Sequence, residues 1–290
     1  MAASRIVTLL PSATEIVCGL GLRDRLVGVT HECDFPSDVA SLPRVTTSAI
    51  DISASSREID TAVRDHLQKN NSLYSIDVGL LAKLEPDLLV TQALCDVCAV
   101  SQNDVLDVLA KLPGDPQLIN LEPMTLDDVF ETISRVGASA GCAKVAENYK
   151  AELKARVVRV LRASGEIRNK PRVGFLEWLD PPFNAGHWTP ELIEFAGGID
   201  CFGNKYKPST TIALETITYA DPDVLIIALC GFDEERARVE LDTFKQQIDF
   251  DSLQAVKNGR VYVLDGNSYF SRPGPRLVDA LELLFELLHQ

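Results

Sequence analysis

The fold is decided at residues 5–15, Arg5-Ile6-Val7-Thr8-Leu9-Leu10-Pro11-Ser12-Ala13-Thr14-Glu15. The apolar, partly β-branched run from Arg5 to Leu10 reads as a buried strand. Ser12-Ala13-Thr14-Glu15 has capping-box spacing, so a helix is expected to start there and to stop near Gly19 and Gly21. A strand feeding directly into a helix is the opening half of a βαβ unit.

The same alternation continues outward. Strands are expected at Leu26–Thr30, Asp87–Thr91 and Gln117–Leu121. From Thr125 a helix runs through Val136, and then Ala143 to Leu161 holds strong helix formers without Gly or Pro. At 1.5 Å per residue that second helix is about 30 Å long, roughly a domain diameter. Alternation then restarts. Val173–Trp178 is a strand, Thr189 is expected to cap a helix that has Pro190 at its first position and ends at Gly197-Gly198, Val224–Leu229 and Val261–Leu264 are strands, and Leu277–Leu288 is an amphipathic closing helix.

The halves echo one another. Glu15-Ile16-Val17 precedes Gly21 by the offset at which Glu191-Leu192-Ile193 precedes Gly197. Pro86-Asp87 before one strand corresponds to Pro222-Asp223 before another. The expected architecture is therefore α/β, with two related lobes of parallel sheet: residues 1–142, a connecting helix at 143–164, and residues 165–290.

Composition narrows the function. The 290 residues carry 28 Lys and Arg against 42 Asp and Glu, a net charge of −14, with 46% hydrophobic and 24% charged residues. Such acidity excludes the electrostatic footprint of a nucleic-acid binder and disfavours an anionic membrane surface. No apolar run approaches bilayer length, so direct membrane insertion is not expected. Seven scattered cysteines argue against a disulfide framework. Arg5 is followed at once by the first strand instead of a leader pattern. Together these point to a reducing compartment, and the expected location is the cytoplasm. Phosphate-loop, nucleophile-elbow, His-Glu-x-x-His and dinucleotide motifs are absent.

Taken together, Thr8-Leu9-Leu10-Pro11-Ser12-Ala13-Thr14-Glu15, the paired Pro-Asp segments, the mid-chain helix and Gly274-Pro275-Arg276-Leu277-Val278-Asp279-Ala280 resemble the helical-backbone (class III) substrate-binding proteins. These capture cobalamin, haem and ferric siderophores for ABC importers. The segments His31-Glu32-Cys33-Asp34-Phe35-Pro36 and Gly186-His187-Trp188-Thr189-Pro190-Glu191 are similar to those of the cobalamin-binding branch. The resemblance implies two Rossmann-like lobes, a rigid backbone helix and a ligand held in the cleft between lobes. It implies a non-catalytic protein whose partner is a small metal chelate, and a monomer is expected. In transport members each lobe shows a glutamate that pairs with permease arginines. Glu215 matches in the second lobe, but Gly79 stands at the first-lobe position, a departure that counts against ABC permease docking.

The chemistry-bearing residues fall in loops after the strands, where parallel sheets bind ligands. His31, Cys33, Cys95 and Cys98 are enough for a tetrahedral zinc site or for a soft axial ligand to a bound chelate. Cys95-Asp96-Val97-Cys98 also allows a redox pair, and inert packed thiols are the remaining reading. Trp178, Phe183, His187 and Trp188 offer aromatic surface to a flat ligand, with His187 and Trp188 at a helix start. Phe270 and Arg272 form another loop, where the guanidinium can hold a carboxylate or phosphate. Pro11, Ser12, Thr46, Thr47 and Ser48 are further candidates, the Ser and Thr residues offering hydroxyl donors. The ligand expected is cobalamin or a related corrinoid. The alternative is a cytosolic zinc metalloenzyme or metal-trafficking protein using the Cys/His cluster.

Overall fold

The computed structural model describes residues 3–69, 73–92, 105 and 108–290. It is α/β throughout and divides into two compact units. The first comprises Met1–Ala54, Thr61–Pro123 and Asp127–Glu152; the second comprises Ser55–Asp60, Met124–Leu126 and Leu153–Gln290.

In the first unit, strands β1 (Ile6–Thr8), β2 (Leu26–Val29), β5 (Leu88–Thr91) and β6 (Gln117–Asn120) form one parallel sheet in the order β2-β1-β5-β6. β1 and β5 lie at its centre, and every residue in them is buried. That is why both read as unbroken apolar runs instead of alternating ones. β3 (Thr46–Ser48) and β4 (Tyr74–Ile76) form a separate antiparallel pair.

Helix α1 (Pro11–Gly19) follows β1. The expected capping box does not form. Leu10 is the cap residue and makes no side-chain cap bond, Pro11 occupies the first turn, and Ser12 and Glu15 are buried inside the helix. Proline's fixed φ and missing N–H suit that first position, so the helix starts one residue before the hydroxyl.

Helices α2 (Ser56–Gln68), α3 (Val78–Leu84) and α4 (Leu126–Ser139) precede the long α5 (Ala143–Gly165). The 23 residues of α5 span about 34 Å. The expected lobe boundaries lay at its two ends. The compact units instead divide inside it, between Glu152 and Leu153.

In the second unit, β7 (Arg172–Leu179), β10 (Ile199–Asp200), β12 (Val224–Ile227) and β13 (Val261–Val263) run parallel in the order β10-β7-β12-β13. β8 (Pro182–Asn184) folds back antiparallel on β7. The two-residue strands β9 (Gly186–His187) and β11 (Asn204–Lys205) pair beside it. Helices α6 (Thr189–Phe195), α7 (Leu214–Ala220), α8 (Glu234–Phe244) and α11 (Leu277–Leu288) complete the unit, with two single-turn helices, α9 (Gln254–Lys257) and α10 (Gly266–Tyr269), lying between α8 and α11. At α6 too the expected Thr189 cap is absent: Trp188 is the cap residue and makes no side-chain bond to the helix's free N–H groups.

The Pro-Asp echo has a physical counterpart in each unit. α3 ends on Glu85 in the left-handed region (φ 41), and Asp87 then accepts the N–H groups of Ser4 and Arg5 at 2.7 and 3.0 Å. The Arg5 guanidinium returns to the α3 terminus, donating to Leu84 O at 2.8 Å. α7 ends on left-handed Asp221 (φ 39), Asp223 accepts Arg172 N–H at 2.8 Å, and Arg172 donates to Ala220 O at 2.8 Å. In both cases an arginine at a strand start satisfies orphan carbonyls of the helix that precedes the neighbouring strand. Among the described residues, no helix is long and apolar enough to cross a membrane.

Candidate functional site

In the first unit, buried hydroxyls gather at the C-terminal ends of the strands. Thr8 Oγ1 and Thr14 Oγ1 lie 2.6 Å apart, and Thr14 Oγ1 lies 2.9 Å from Cys33 Sγ. All three residues are buried. Cys33 therefore sits within a hydroxyl network, and among the described residues no group of three or more His, Cys, Asp or Glu side chains could hold a metal ion. Cys95 and Cys98 lie outside the described residues.

His31 is held differently. Its Nδ1 and its backbone N–H meet Thr46 Oγ1 at 2.8 and 3.0 Å, and Tyr74 packs against the ring at 5.5 Å. Nε2 lies at the other edge, 3.9 Å from Glu32 Oε1. Burial, with the Arg44 charge adding to it, lowers the imidazole pKa and favours the neutral ring. A neutral imidazole with one nitrogen oriented by a fixed partner has the form of a metal-ligating histidine.

The other first-unit candidates are engaged locally. Pro11 and Ser12 are buried in α1. Thr47 Oγ1 pairs across the β3–β4 ladder with Ser75 Oγ at 2.7 Å, and Ser48 Oγ accepts Ile50 N–H at 3.0 Å. Side chains alternate along a strand, so Thr46 turns toward His31 while Thr47 faces solvent.

In the second unit the structure brings His187, Trp188 and Phe270 together. Trp188 is buried and donates its indole N–H to Phe270 O at 2.9 Å; Phe270 is also buried, edge-on to Phe175. The His187 and Trp188 rings stack at 5.3 Å. Arg272 is buried as well and donates to Asn267 Oδ1 at 2.9 Å. Trp178 and Phe183 face one another across the β7–β8 pair and are half-buried. Trp178 donates to Ser56 O at 3.2 Å and packs on Phe232. Glu215 is exposed in the first turn of α7. α6 has only seven residues, so the surface offered at this corner comes from its side chains.

His187 carries two local costs. Its φ of 50 places a non-glycine residue in the left-handed region, worth about 1–3 kcal/mol of strain. Its Nε2 is enclosed with no hydrogen-bond partner among the described residues, a further cost of about 1–3 kcal/mol. Burial lowers its pKa, so the ring is held neutral.

Two groups escaped the sequence reading. Glu177 lies in the apolar β7 and accepts Gly186 N–H at 2.8 Å, and burial raises its pKa. Glu191, buried in α6, accepts Leu126 N–H at 2.9 Å and the Tyr206 hydroxyl at 3.0 Å. The available signal was a charged residue inside a buried run, which implies internal partners. Thr46, one of the hydroxyl candidates expected from the sequence, orients His31.

The geometry can be set beside known proteins. The model of the periplasmic binding protein family matches residues 6–267. A vitamin B12-binding protein of Vibrio cholerae is 25% identical over 287 residues, covering 97% of this chain and 87% of its own. The ABC transporter substrate-binding lipoprotein YvrC of Bacillus subtilis, itself uncharacterised, is 22% identical, covering 98% of this chain and 80% of its own. The crystal structure of the periplasmic vitamin B12-binding protein BtuF of Vibrio cholerae superposes with a TM-score of 0.71 at 22% identity, covering 99% of this chain and 96% of that one. The similarity confirms the fold class expected from the sequence.

One expectation is overturned. The cysteine count and the opening residues suggested the cytoplasm, whereas the matched family and these relatives, periplasmic or lipoprotein, point to an extracytoplasmic location. Thiol count was a poor guide for a physical reason. Burial pushes Cys18 up to about 11 and raises Cys142 and Cys201, and protonated thiols react slowly whatever the compartment. With two parallel-sheet units, the long α5 and a family match across most of its length, this chain belongs to the periplasmic binding protein family.

Proposed function

We propose that this protein binds a corrinoid of the cobalamin class and serves as the substrate-binding component of an ABC-type importer. The observation that carries the proposal is the similarity to vitamin B12-binding proteins over 97% of the chain. Each unit adds groups suited to a large, flat metal chelate. In the first, His31 offers Nε2 while Thr46 fixes the opposite edge of the ring. In the second, the half-buried rings of Trp178, Phe183 and His187 offer apolar contact, backed by buried Trp188 and Phe270. Arg272 supports this loop from within. Glu215, exposed on α7, is assigned to the permease contact.

The test is a visible-absorbance titration of the reduced protein into hydroxocobalamin, with haemin in parallel. A saturable spectral change at one corrinoid per chain, lost in His31→Ala, is expected. Haemin binding without corrinoid binding, or no binding of either, overturns the proposal. Corrinoid binding with an unchanged spectrum removes His31 as an axial donor and leaves shape and aromatic contact as the source of affinity.

A further inference from the structure

We infer that Glu177 is a positioning residue for ligand binding: its carboxylate holds the Gly186-His187 turn, and with it the Trp188 ring, in the arrangement that meets the ligand. The inference rests on the corrinoid-binding reading above and names a residue behind that surface.

Glu177 lies near the C-terminal end of β7, on a strand that is otherwise apolar apart from Arg172. Its Oε1 accepts Gly186 N–H at 2.8 Å, and the side chains of Thr189 and Ser209 lie beside the carboxylate and oppose the rise that burial gives its pKa. One side chain thus ties β7 to β9, beside the first residue of α6 and the segment after β11. The groups facing it from these elements are a backbone amide and two hydroxyls, all uncharged. The approach of Gly186 is tight, since a Cβ there would meet Ser209 N at 2.3 Å.

His187 follows directly. Its N–H donates to Lys207 O at 2.7 Å and its carbonyl accepts Tyr206 N–H at 2.9 Å, so β11 and the turn beyond it hold one side of the residue. Glu177 holds the residue before it, next to Thr189 at the start of the helix after it. Left-handed backbone and an enclosed, unpartnered Nε2 occur together at His187, and neither persists unless the surroundings impose it. The Glu177 carboxylate, bonded to Gly186 N–H where the chain passes closely against Ser209, supplies that constraint. The corner is then set before the ligand arrives, which lowers the ordering cost of binding.

The experiment compares Glu177→Ala, Glu177→Asp and Glu177→Gln in the full chain, with two readouts. The first is hydroxocobalamin affinity. Glu177→Ala is expected to raise Kd by about tenfold, the scale on which supporting partners of ligand-binding groups act. Glu177→Gln, which keeps an acceptor for Gly186 N–H, should recover most of that loss, and Glu177→Asp should fall between. The second needs no ligand. The chain has two tryptophans, so in a Trp178→Phe background the emission reports Trp188 alone. Glu177→Ala should red-shift it and increase its quenching by acrylamide, while Glu177→Gln should not. Equal affinity and equal emission in all three variants overturn the inference. If the wild-type protein binds no corrinoid, the functional reading fails, and the Trp188 emission alone decides whether Glu177 sets the corner. If Glu177→Ala fails to fold, the Asp and Gln variants decide: wild-type values in both overturn the inference.

Discussion

Trp188 Nε1 donates to the carbonyl oxygen of Phe270 at 2.9 Å, joining residues 82 apart in the sequence inside the second unit. Both are buried, so no water can replace the donor if it is lost. Trp188→Phe removes the N–H and part of the ring volume together. We expect it to lower unfolding stability by about 1–3 kcal/mol, seen as a reduced urea midpoint with an unchanged slope. An unaltered midpoint would show that the Phe270 carbonyl finds another donor.

Asp200 predicts a pH effect with a definite sign. Burial pushes its carboxyl up to about 6, against the hydrogen bond from Gly203 N–H and with the Glu194 charge adding to the rise. One oxygen is buried without a partner among the described residues. A carboxyl raised above its unfolded value near 3.9 favours the fold while protonated. That contribution is complete below about pH 3.9 and is lost as pH rises through about 6. Asp200→Asn keeps the acceptor for Gly203 and has no charge to bury. The variant should be more stable than wild type at pH 8 by about 1–3 kcal/mol, and should lose the slope between pH 4 and 6. Parallel stability curves for the two proteins would disprove it.

Glu240 is a buried carboxylate at which three donors converge. It accepts the Ser56 hydroxyl, Ser56 N–H at 3.3 Å and the Arg236 guanidinium at 2.9 Å. Glu240→Ala leaves those donors facing a void, and a loss of about 2–3 kcal/mol is expected, reduced from the fully buried case because Arg236 is partly exposed. Glu240→Gln should lose less, since it retains an acceptor for Ser56. Denaturant titrations of both variants give the comparison, and equal losses would show that charge, not geometry, dominates there.

Thr46 predicts a binding effect that separates from stability. Thr46→Val keeps the shape of the side chain and removes the oxygen that meets His31 Nδ1 at 2.8 Å. The ring is then free to turn. Hydroxocobalamin affinity should fall by about tenfold, while the melting temperature should drop by only a few degrees. Wild-type affinity with the hydroxyl gone would remove His31 orientation from the binding account.

Much of the architecture is legible in the sequence because it follows from local periodicity. The apolar runs at Val7 and Leu89 become the central strands β1 and β5, and the amphipathic stretch from Leu277 to Leu288 becomes α11 with the same bounds. The Pro-Asp echo is legible too, and the structure supplies its cause in the paired contacts of Arg5 with Asp87 and Leu84 and of Arg172 with Asp223 and Ala220. The helix starts are misread at Ser12 and Thr189. A hydroxyl at capping spacing competes there with a proline at the first turn, and the proline sets the boundary.

The candidate site divides the same way. Its residue types and strand-end loops can be read along the chain, so His31, His187, Trp188 and Phe270 stand out. Their environments cannot. Trp188 turns inward to Phe270, Thr46 and not Thr47 reaches His31, and Glu177 gathers Gly186, Thr189 and Ser209 around one carboxylate. Sequence determines which backbone elements form, because helix and strand periods repeat within a few residues. Only the tertiary structure decides what each polar side chain meets, because those partners lie tens of residues away and are selected by packing and by the cost of leaving a buried polar group unpaired.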